Sequence, residues 1–272
     1  MSELIVVDVG CAIGEFSEFI LECGLNVKIY ALEPNINLFG EKLSKIKLRH
    51  PSKFYFFPYA LGKSSGKALM YGTSQLNGQI GSLKKFNSNK RWDNYLDVHL
   101  NKDELSSAIT VDTKSVADFL LISGVKEVDF LKIDAQGSDI DILEQFLLKQ
   151  KIRCIVLEVN VSSNSYENIY EGDNNLSRLS KIIAKYDLDI IKIVPNRDFT
   201  ELNVFLAKNF QMGLKIMEEL KISFNPVFRQ GWSVNVVSNL HEKNFSITQF
   251  LLRLLQLFSH PVRSLNKLSK LI

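Results

Sequence analysis

Short runs of aliphatic and β-branched residues alternate along the chain with stretches whose apolar residues recur every three or four positions. LIVVDV, from Leu4 to Val9, has little polar interruption, the pattern of a strand covered on both faces. After a glycine turn, Phe16, Phe19, Ile20 and Cys23 fall at i, i+3, i+4 and i+7, with Glu15, Glu18 and Glu22 opposite and Gly24 as a stop. The same reading predicts a strand over Val27–Leu32, a helix over Phe39–Leu48 and a strand over Phe54–Phe57. Thr113 is placed to cap a helix carrying Val116, Phe119 and Leu120 that ends at Gly124. Val128–Ile133 and Ile152–Val159 are further strands, and between them Ser138 and Asp141 have capping-box spacing before Ile140, Leu143 and Leu147.

Strands alternating with helices of this length imply right-handed crossovers, so the expected fold is α/β, a doubly wound, mainly parallel, Rossmann-like sheet. Leu188–Val194 and Leu202–Ala207 are strands separated by PNRDFTE, too short for a helical crossover. They should form an antiparallel C-terminal hairpin at a sheet edge. This organisation divides the chain into a main domain over residues 1–210, an extension over 211–244 and a tail over 245–272. Residues 71–109 break the rhythm: the segment is polar, rich in Asn, Gly, Ser and Lys, and longer than ordinary connections. It reads either as a functional insertion or lid, or as a surface loop.

Composition adds bounds rather than a function. The 272 residues are 46% hydrophobic and 23% charged, which excludes a disordered chain and a small disulfide scaffold. The net charge is +3, and taking away the four cations of the acid-free tail (Arg253, Arg263, Lys267, Lys270) leaves −1 on the first 244 residues. A near-neutral body argues against a nucleic-acid partner. Cys11, Cys23 and Cys154 are odd in number and widely spaced, so neither a disulfide framework nor a metal motif is expected. With no leader pattern and no apolar run of about 18 residues, the expected location is cytoplasmic. In the tail, Phe250, Leu251, Leu254, Leu255 and Phe258 form a helical apolar stripe flanked by basic residues. The stripe fits peripheral contact with an anionic membrane, and equally packing on the domain or a homodimer partner.

The chemistry concentrates at strand ends. In VVDVGCAIGEF, Gly10 permits a sharp turn, Gly14 permits close approach to a ligand, and the helix that follows directs free N–H groups at an anion. A dinucleotide fingerprint needs a third glycine where this chain has Ala12. Asp8 ends the first strand, where it would oppose a pyrophosphate but suit an ammonium group. A ligand carrying carboxylate and amine together, as the methionyl end of S-adenosylmethionine does, is the most compatible. Glu33, ending the second strand in ALEPN, is placed to bind both hydroxyls of a ribose.

In this order VVDVGCAIGEFS, ALEPN, ALG (60–62), GSL (81–83), TVDTKSVADFL, VDFLKIDAQGSDIDIL and IVLEVN resemble the FkbM-type methyltransferases, class I enzymes dependent on S-adenosylmethionine. The family commonly has Asp-x-Glu-Gly-x-Glu where this chain has Asp134, Gln136, Gly137 and Asp139. The resemblance implies that Asp8, Gly10, Cys11 and Gly14 hold the methionyl part, that Glu33 and Pro34 flank the ribose, and that Ala60 and Leu61 lie beside the adenine. It further implies methyl transfer to a hydroxyl of a sugar, glycan precursor or other small molecule. Asp134 is then the candidate general base or acceptor-orienting group, unless its carboxylate only caps the following helix. Glu158 is expected either to bind acceptor hydroxyls or to pair with Lys132. Asp134, Glu158 and Asn160 together offer oxygen ligands but no metal-motif spacing, so no metal is expected. Lys84, Lys85, Lys90 and Arg91, with Trp92 and Tyr95, fit a phosphorylated or sugar acceptor, or simply a solvated loop balanced by Asp93, Asp97 and Asp103; His99 is a further candidate base. Two other readings stay open: a nicotinamide-dependent oxidoreductase and a catalytically idle binding module on the same fold.

Overall fold

The computed structural model describes residues 3–73, 80–87, 108–161, 168–195 and 201–222. Lys90, Arg91, Trp92, Asp93, Tyr95, Asp97, His99, Asp103 and the whole 245–272 tail lie outside the described residues.

Ten strands and six helices are described: β1 (Leu4–Val9), α1 (Glu15–Glu22), β2 (Val27–Leu32), α2 (Ile36–Arg49), β3 (Phe54–Phe57), β4 (Ala60–Leu61), β5 (Gly66–Tyr71), β6 (Ala108–Lys114), α3 (Val116–Ser123), β7 (Glu127–Ile133), α4 (Asp139–Lys149), β8 (Lys151–Asn160), α5 (Leu176–Tyr186), β9 (Asp189–Pro195), β10 (Glu201–Ala207) and α6 (Phe210–Glu219). Seven strands form one sheet in the order β3-β2-β1-β7-β8-β10-β9. The first five are parallel, and β10 pairs antiparallel with both β8 and β9, as the hairpin pattern requires. One face packs on Val116 and Phe119 of α3, Ile140 and Leu143 of α4 and Leu179 of α5; the other packs on Ile20, Leu43 and Ile216 of α1, α2 and α6. This is the expected doubly wound α/β fold, buried on both sides by its crossovers.

The chain runs outward from β1 through β2 to β3 and then returns to β7 on the other side of β1. That reversal opens a crevice between the carboxyl ends of β1 and β7, where ligands of such sheets bind. A second sheet, β4-β6-β5, was not legible as such: β5 and β6 pair antiparallel across the 71–109 segment. Residues 71–109 therefore interrupt a hairpin of their own, and both edges of the interruption, Tyr71 and Ala108, are register partners.

Three local expectations change. Thr113 lies within β6, and Ser115 caps α3 by accepting the Asp118 N–H at 3.1 Å. Ser138 makes no capping bond. The buried stripe of α1 is Ser17, Ile20 and Leu21 rather than Phe16, Phe19, Ile20 and Cys23, although Phe16 still stacks on Phe130 at 5.8 Å. A serine faces inward because a buried acid waits for it, as the site shows.

Candidate active site at the carboxyl ends of β1 and β7

Asp8 and Lys132 are register partners across the parallel β1–β7 pair, so their side chains share a face. Asp8 is completely buried; Ser17 donates its hydroxyl to Oδ2 at 2.7 Å, and Lys132 Nζ lies 3.2 Å from Oδ1. Burial works against the Lys132 charge, yet Asp8 and Asp134 hold it well above the ordinary lysine range. The ammonium that Asp8 faces is thus supplied by the protein itself. Lys132 also reaches the Gly10 carbonyl and Asp134 Oδ2, each at 3.5 Å, and joins the two loops of the crevice. The expectation that Lys132 pairs with Glu158 is corrected: its ion-pair partners are Asp8 and Asp134.

The first loop is closed by its own backbone. Gly10 and Cys11 donate to the Leu32 carbonyl, and Gly14 donates to Cys11. The Cys11 thiol is buried in the core, which pushes its pKa up, so the loop itself engages the polar groups of Cys11. Gly10 sits at φ 72°, and a Cβ there would lie 1.9 Å from the Asp134 carbonyl oxygen. Gly14, at φ 80°, has its open side toward Ile46 and Leu43 of α2, so its smallness serves packing against that helix.

Glu33 is 4% exposed and accepts the Ala12 amide on one carboxylate oxygen (3.0 Å) and the Asn35 amide on the other (2.8 Å). Burial pushes its pKa up to about 7 against those two amides. Each oxygen keeps a further lone pair, an arrangement that suits two adjacent hydroxyls. Pro34 is half-buried, and Asn35 extends its side-chain amide to the Thr73 carbonyl, tying the β2 loop to the start of the 71–109 segment. Of the two residues after β3, Leu61 is core at 2% exposure, while Ala60 keeps accessible surface.

Asp134 does not cap α4. The amides of Ala135 and Gly137 go to the two carboxylate oxygens of Asp139, each at 3.1 Å, so Asp139 is the residue that starts the helix. Asp134 instead holds side-chain partners: Gln136 Nε2 donates to Oδ1 at 2.8 Å and Lys132 approaches Oδ2, with the side chain 30% exposed. A carboxylate held by side chains rather than by the backbone of the helix, and partly open to solvent, can exchange a proton with a bound molecule.

Around it lie Asp139, Glu158 and Glu201, the last from the first position of β10. Glu158 is half-buried; burial and then Glu201 push its pKa well up. Burial, with Asp134 as the nearest charge, takes Asp139 up to about 7, and burial with Asp139 and Asp134 takes Glu201 up to about 8. Glu201 was not singled out from sequence, which left it as the last residue of the PNRDFTE connection; in the fold it begins β10. Asn160 proves to be a clamp: it is 3% exposed and donates its side-chain amide to the Asn174 carbonyl at 3.0 Å. Lys84 pairs with Asp141 at 3.2 Å, and Arg178 joins the same carboxylate at 2.8 Å.

These shifts fix the sign of the pH dependence of the protein without ligand. Carboxyls with raised folded pKa values bind more protons in the folded than in the unfolded state. Stability therefore rises as pH falls from about 8 toward the ordinary carboxylate range, by about 1.4 kcal/mol per pH unit for each proton taken up. Urea unfolding at pH 8.5 and pH 6 should show the higher stability at pH 6; equal values would contradict the burial of this cluster.

The methyltransferase FkbM domain model matches residues 8–211, which spans β1 through the start of α6. No relative was found among curated proteins. Among solved structures, the chain resembles Aeropyrum pernix fibrillarin in complex with natively bound S-adenosyl-L-methionine (12% identity, 75% of this chain and 66% of that one, TM-score 0.38). It also resembles M. capricolum TrmK in complex with S-adenosyl-homocysteine (11% identity, 94% and 90%, TM-score 0.39) and precorrin-6y C5,15-methyltransferase from Geobacter metallireducens (12%, 76% and 80%, TM-score 0.38). The glycine loop, the Glu33 clamp and the Asp134 loop all fall within the matched span, and the chain belongs to the FkbM methyltransferase domain family.

Proposed function

We propose that the protein is an S-adenosylmethionine-dependent O-methyltransferase acting on a hydroxyl of a sugar, glycan precursor or other small molecule. The observation that carries this reading is the Asp134 carboxylate: it follows β7 beside the glycine loop, the nearby Ala135 and Gly137 amides are taken by Asp139, and its side chain is partly open to solvent. Support for the cofactor comes from Glu33, whose two oxygens are fixed by amides and retain lone pairs for vicinal hydroxyls. Asp8, engaged by Lys132 and Ser17, acts on the cofactor through the loop it steadies. S-adenosylmethionine supplies a methyl carbon on a positively charged sulfur, primed for attack by an oxygen.

The residues of this chain then have two tasks, alignment and proton removal. Asp134 would accept the proton of the acceptor hydroxyl, whose oxygen would take the methyl group that bound S-adenosylmethionine would supply, leaving S-adenosylhomocysteine. Glu158, its pKa pushed well up by burial and by Glu201, is placed to hydrogen-bond a neighbouring acceptor oxygen. Lys132 is taken by Asp8 and Asp134 and so is not a free cation for a phosphate-rich acceptor, which favours a neutral polyol. With Lys84 taken by Asp141, the described part of the 71–109 segment adds no free lysine from that position. Among the described residues no helix is long and apolar enough to cross a membrane.

Calorimetry with S-adenosylmethionine and S-adenosylhomocysteine tests the cofactor, and the absence of heat with folded protein would defeat the reading. Mass spectrometry of metabolites that gain a methyl group with the protein present would find the acceptor. Glu33→Ala should weaken cofactor binding about 10-fold to 100-fold through loss of two charge-assisted hydrogen bonds. Unchanged affinity in that variant would remove the ribose assignment.

A further inference from the structure

Gln136 stands where the family commonly carries an acid, and its geometry explains what an amide does there. Its backbone is left-handed at φ 48°, a conformation fixed from outside by Ser82, whose hydroxyl donates to the Gln136 carbonyl at 2.5 Å. The side chain has one partner on each end. Nε2 donates to Asp134 Oδ1 at 2.8 Å, and Oε1 accepts the Tyr170 hydroxyl at 2.6 Å. A carboxylate can only accept, so the Nε2 end must face Asp134 and the oxygen must face the phenol. Tyr170 is 2% exposed, and burial together with Glu201, Glu158 and Asp134 keeps its hydroxyl protonated and hence a donor.

The phenol is itself anchored. Its ring centre lies 4.9 Å from that of Phe86, the Phe86 and Tyr170 backbones form a bridge, and the Tyr170 Cβ and ring Cγ lie 2.8 and 3.0 Å from where a Cβ on Gly137 would stand. Asn87 fastens the same crossing, donating its side-chain amide to the carbonyls of Asn168 and Tyr170 at 2.9 and 3.0 Å. Residues 80–87 of the inserted segment and residues 168–175 after β8 thus meet over the Asp134 loop. They hold one end of Gln136, and the other end holds the acid.

We propose that Gln136 is a positioning residue, and that Tyr170 acts through it, so that the two fix the rotamer of Asp134 for proton removal. The place of Asp134 in proton removal rests on the methyltransferase reading above; the orienting relay itself does not. Asp134 is gripped on Oδ1 by Gln136 while Oδ2 faces Lys132, and loss of the neutral donor leaves the carboxylate free to swing onto the lysine.

The test uses the full chain and three variants: Gln136→Asn, which tolerates a left-handed backbone but is one methylene too short to span both partners, Tyr170→Phe, which removes only the hydroxyl, and the double variant. Three-bond couplings of isotopically labelled protein read the Asp134 χ1 rotamer, calorimetry reads S-adenosylmethionine affinity, and labelled methyl transfer to the acceptor found by metabolite screening reads turnover. Expected are one rotamer in the parent and averaged couplings in Gln136→Asn, cofactor affinity within about twofold, and kcat down about 10-fold. Tyr170→Phe should fall short of that loss, and the double variant should match Gln136→Asn alone, because the two residues act in series. A single unchanged rotamer in both single variants overturns the relay. Averaged couplings with undiminished turnover overturn the place of Asp134 in the reaction and leave the relay standing.

Discussion

An Asp134→Asn variant will bind S-adenosylmethionine like the parent and transfer methyl groups about 10²-fold to 10⁴-fold more slowly, the usual contribution of a positioned base. The split follows from the geometry. Cofactor contacts are assigned to the glycine loop and Glu33, whereas the Asp134 side chain reaches that loop through Lys132, and its backbone packs on Gly10 and donates to the Val9 carbonyl of β1 at 3.0 Å. The asparagine side chain keeps the size of aspartate and an acceptor oxygen for Gln136 but cannot take a proton. Single-turnover methyl transfer with saturating cofactor, set beside calorimetric affinity, measures both halves. Unimpaired turnover would exclude Asp134 as the base; a parallel loss of affinity would move its role to cofactor binding.

Gly10→Ala should be the most damaging single methyl in the described protein, costing about 3–5 kcal/mol of folding stability. The alanine would have to hold φ 72° with its Cβ 1.9 Å from the carbonyl oxygen of Asp134, a backbone atom that has no rotamer by which to retreat. Opening the gap means parting the loop ends of β1 and β7 next to the Asp134–Val9 hydrogen bond, so any folded remainder should also lose methyl transfer. Two other glycines make the comparison quantitative. Gly24 has the same φ of 72° with nothing within 4 Å, so Gly24→Ala should cost only the backbone term of about 1–2 kcal/mol. Gly14→Ala would meet the side-chain tips of Ile46 and Leu43 at 2.7 and 3.0 Å, which can shift, and should fall between. Denaturant midpoints of the three variants must come out in the order Gly24, Gly14, Gly10 of increasing damage; a Gly10 variant as mild as Gly24 would refute the close approach.

Much of the frame was legible because it is local. Runs such as LIVVDV and VKIYAL can hardly be anything but buried strands, and β1, β2 and β3 have the boundaries their patterns predict. The parallel order and the antiparallel β9–β10 hairpin follow from connection lengths. Gly10 and Glu33 were recognisable because a turn glycine and a strand-end acid have chemistry that any neighbouring sheet would use.

What the tertiary structure decided was the choice among equivalent partners. From sequence, Ser138 and Asp134 were both candidates to cap α4; in the fold Ser138 makes no capping bond and Asp139 takes the Ala135 and Gly137 amides, which leaves Asp134 to Gln136 and Lys132. The partner that the sequence offered Lys132 was Glu158, and the β1–β7 register set it opposite Asp8 instead. Ser17 turned inward, against the apolar period of its helix, because it meets the buried Asp8 carboxylate. Tyr170 carried no signal at all: its role depends on a ring from residue 86, a loop at 136 and its own hydroxyl converging from segments far apart in the chain. Hydrophobic periodicity records burial against a sheet, which every residue of an element shares, whereas hydrogen bonds between buried polar groups depend on single directions across the fold. The sequence by itself determined the sheet and the two loops that face each other across its switch point; only the packed structure decided which acid ties down the loop before α4, which one pairs with a lysine, and which one remains open for chemistry.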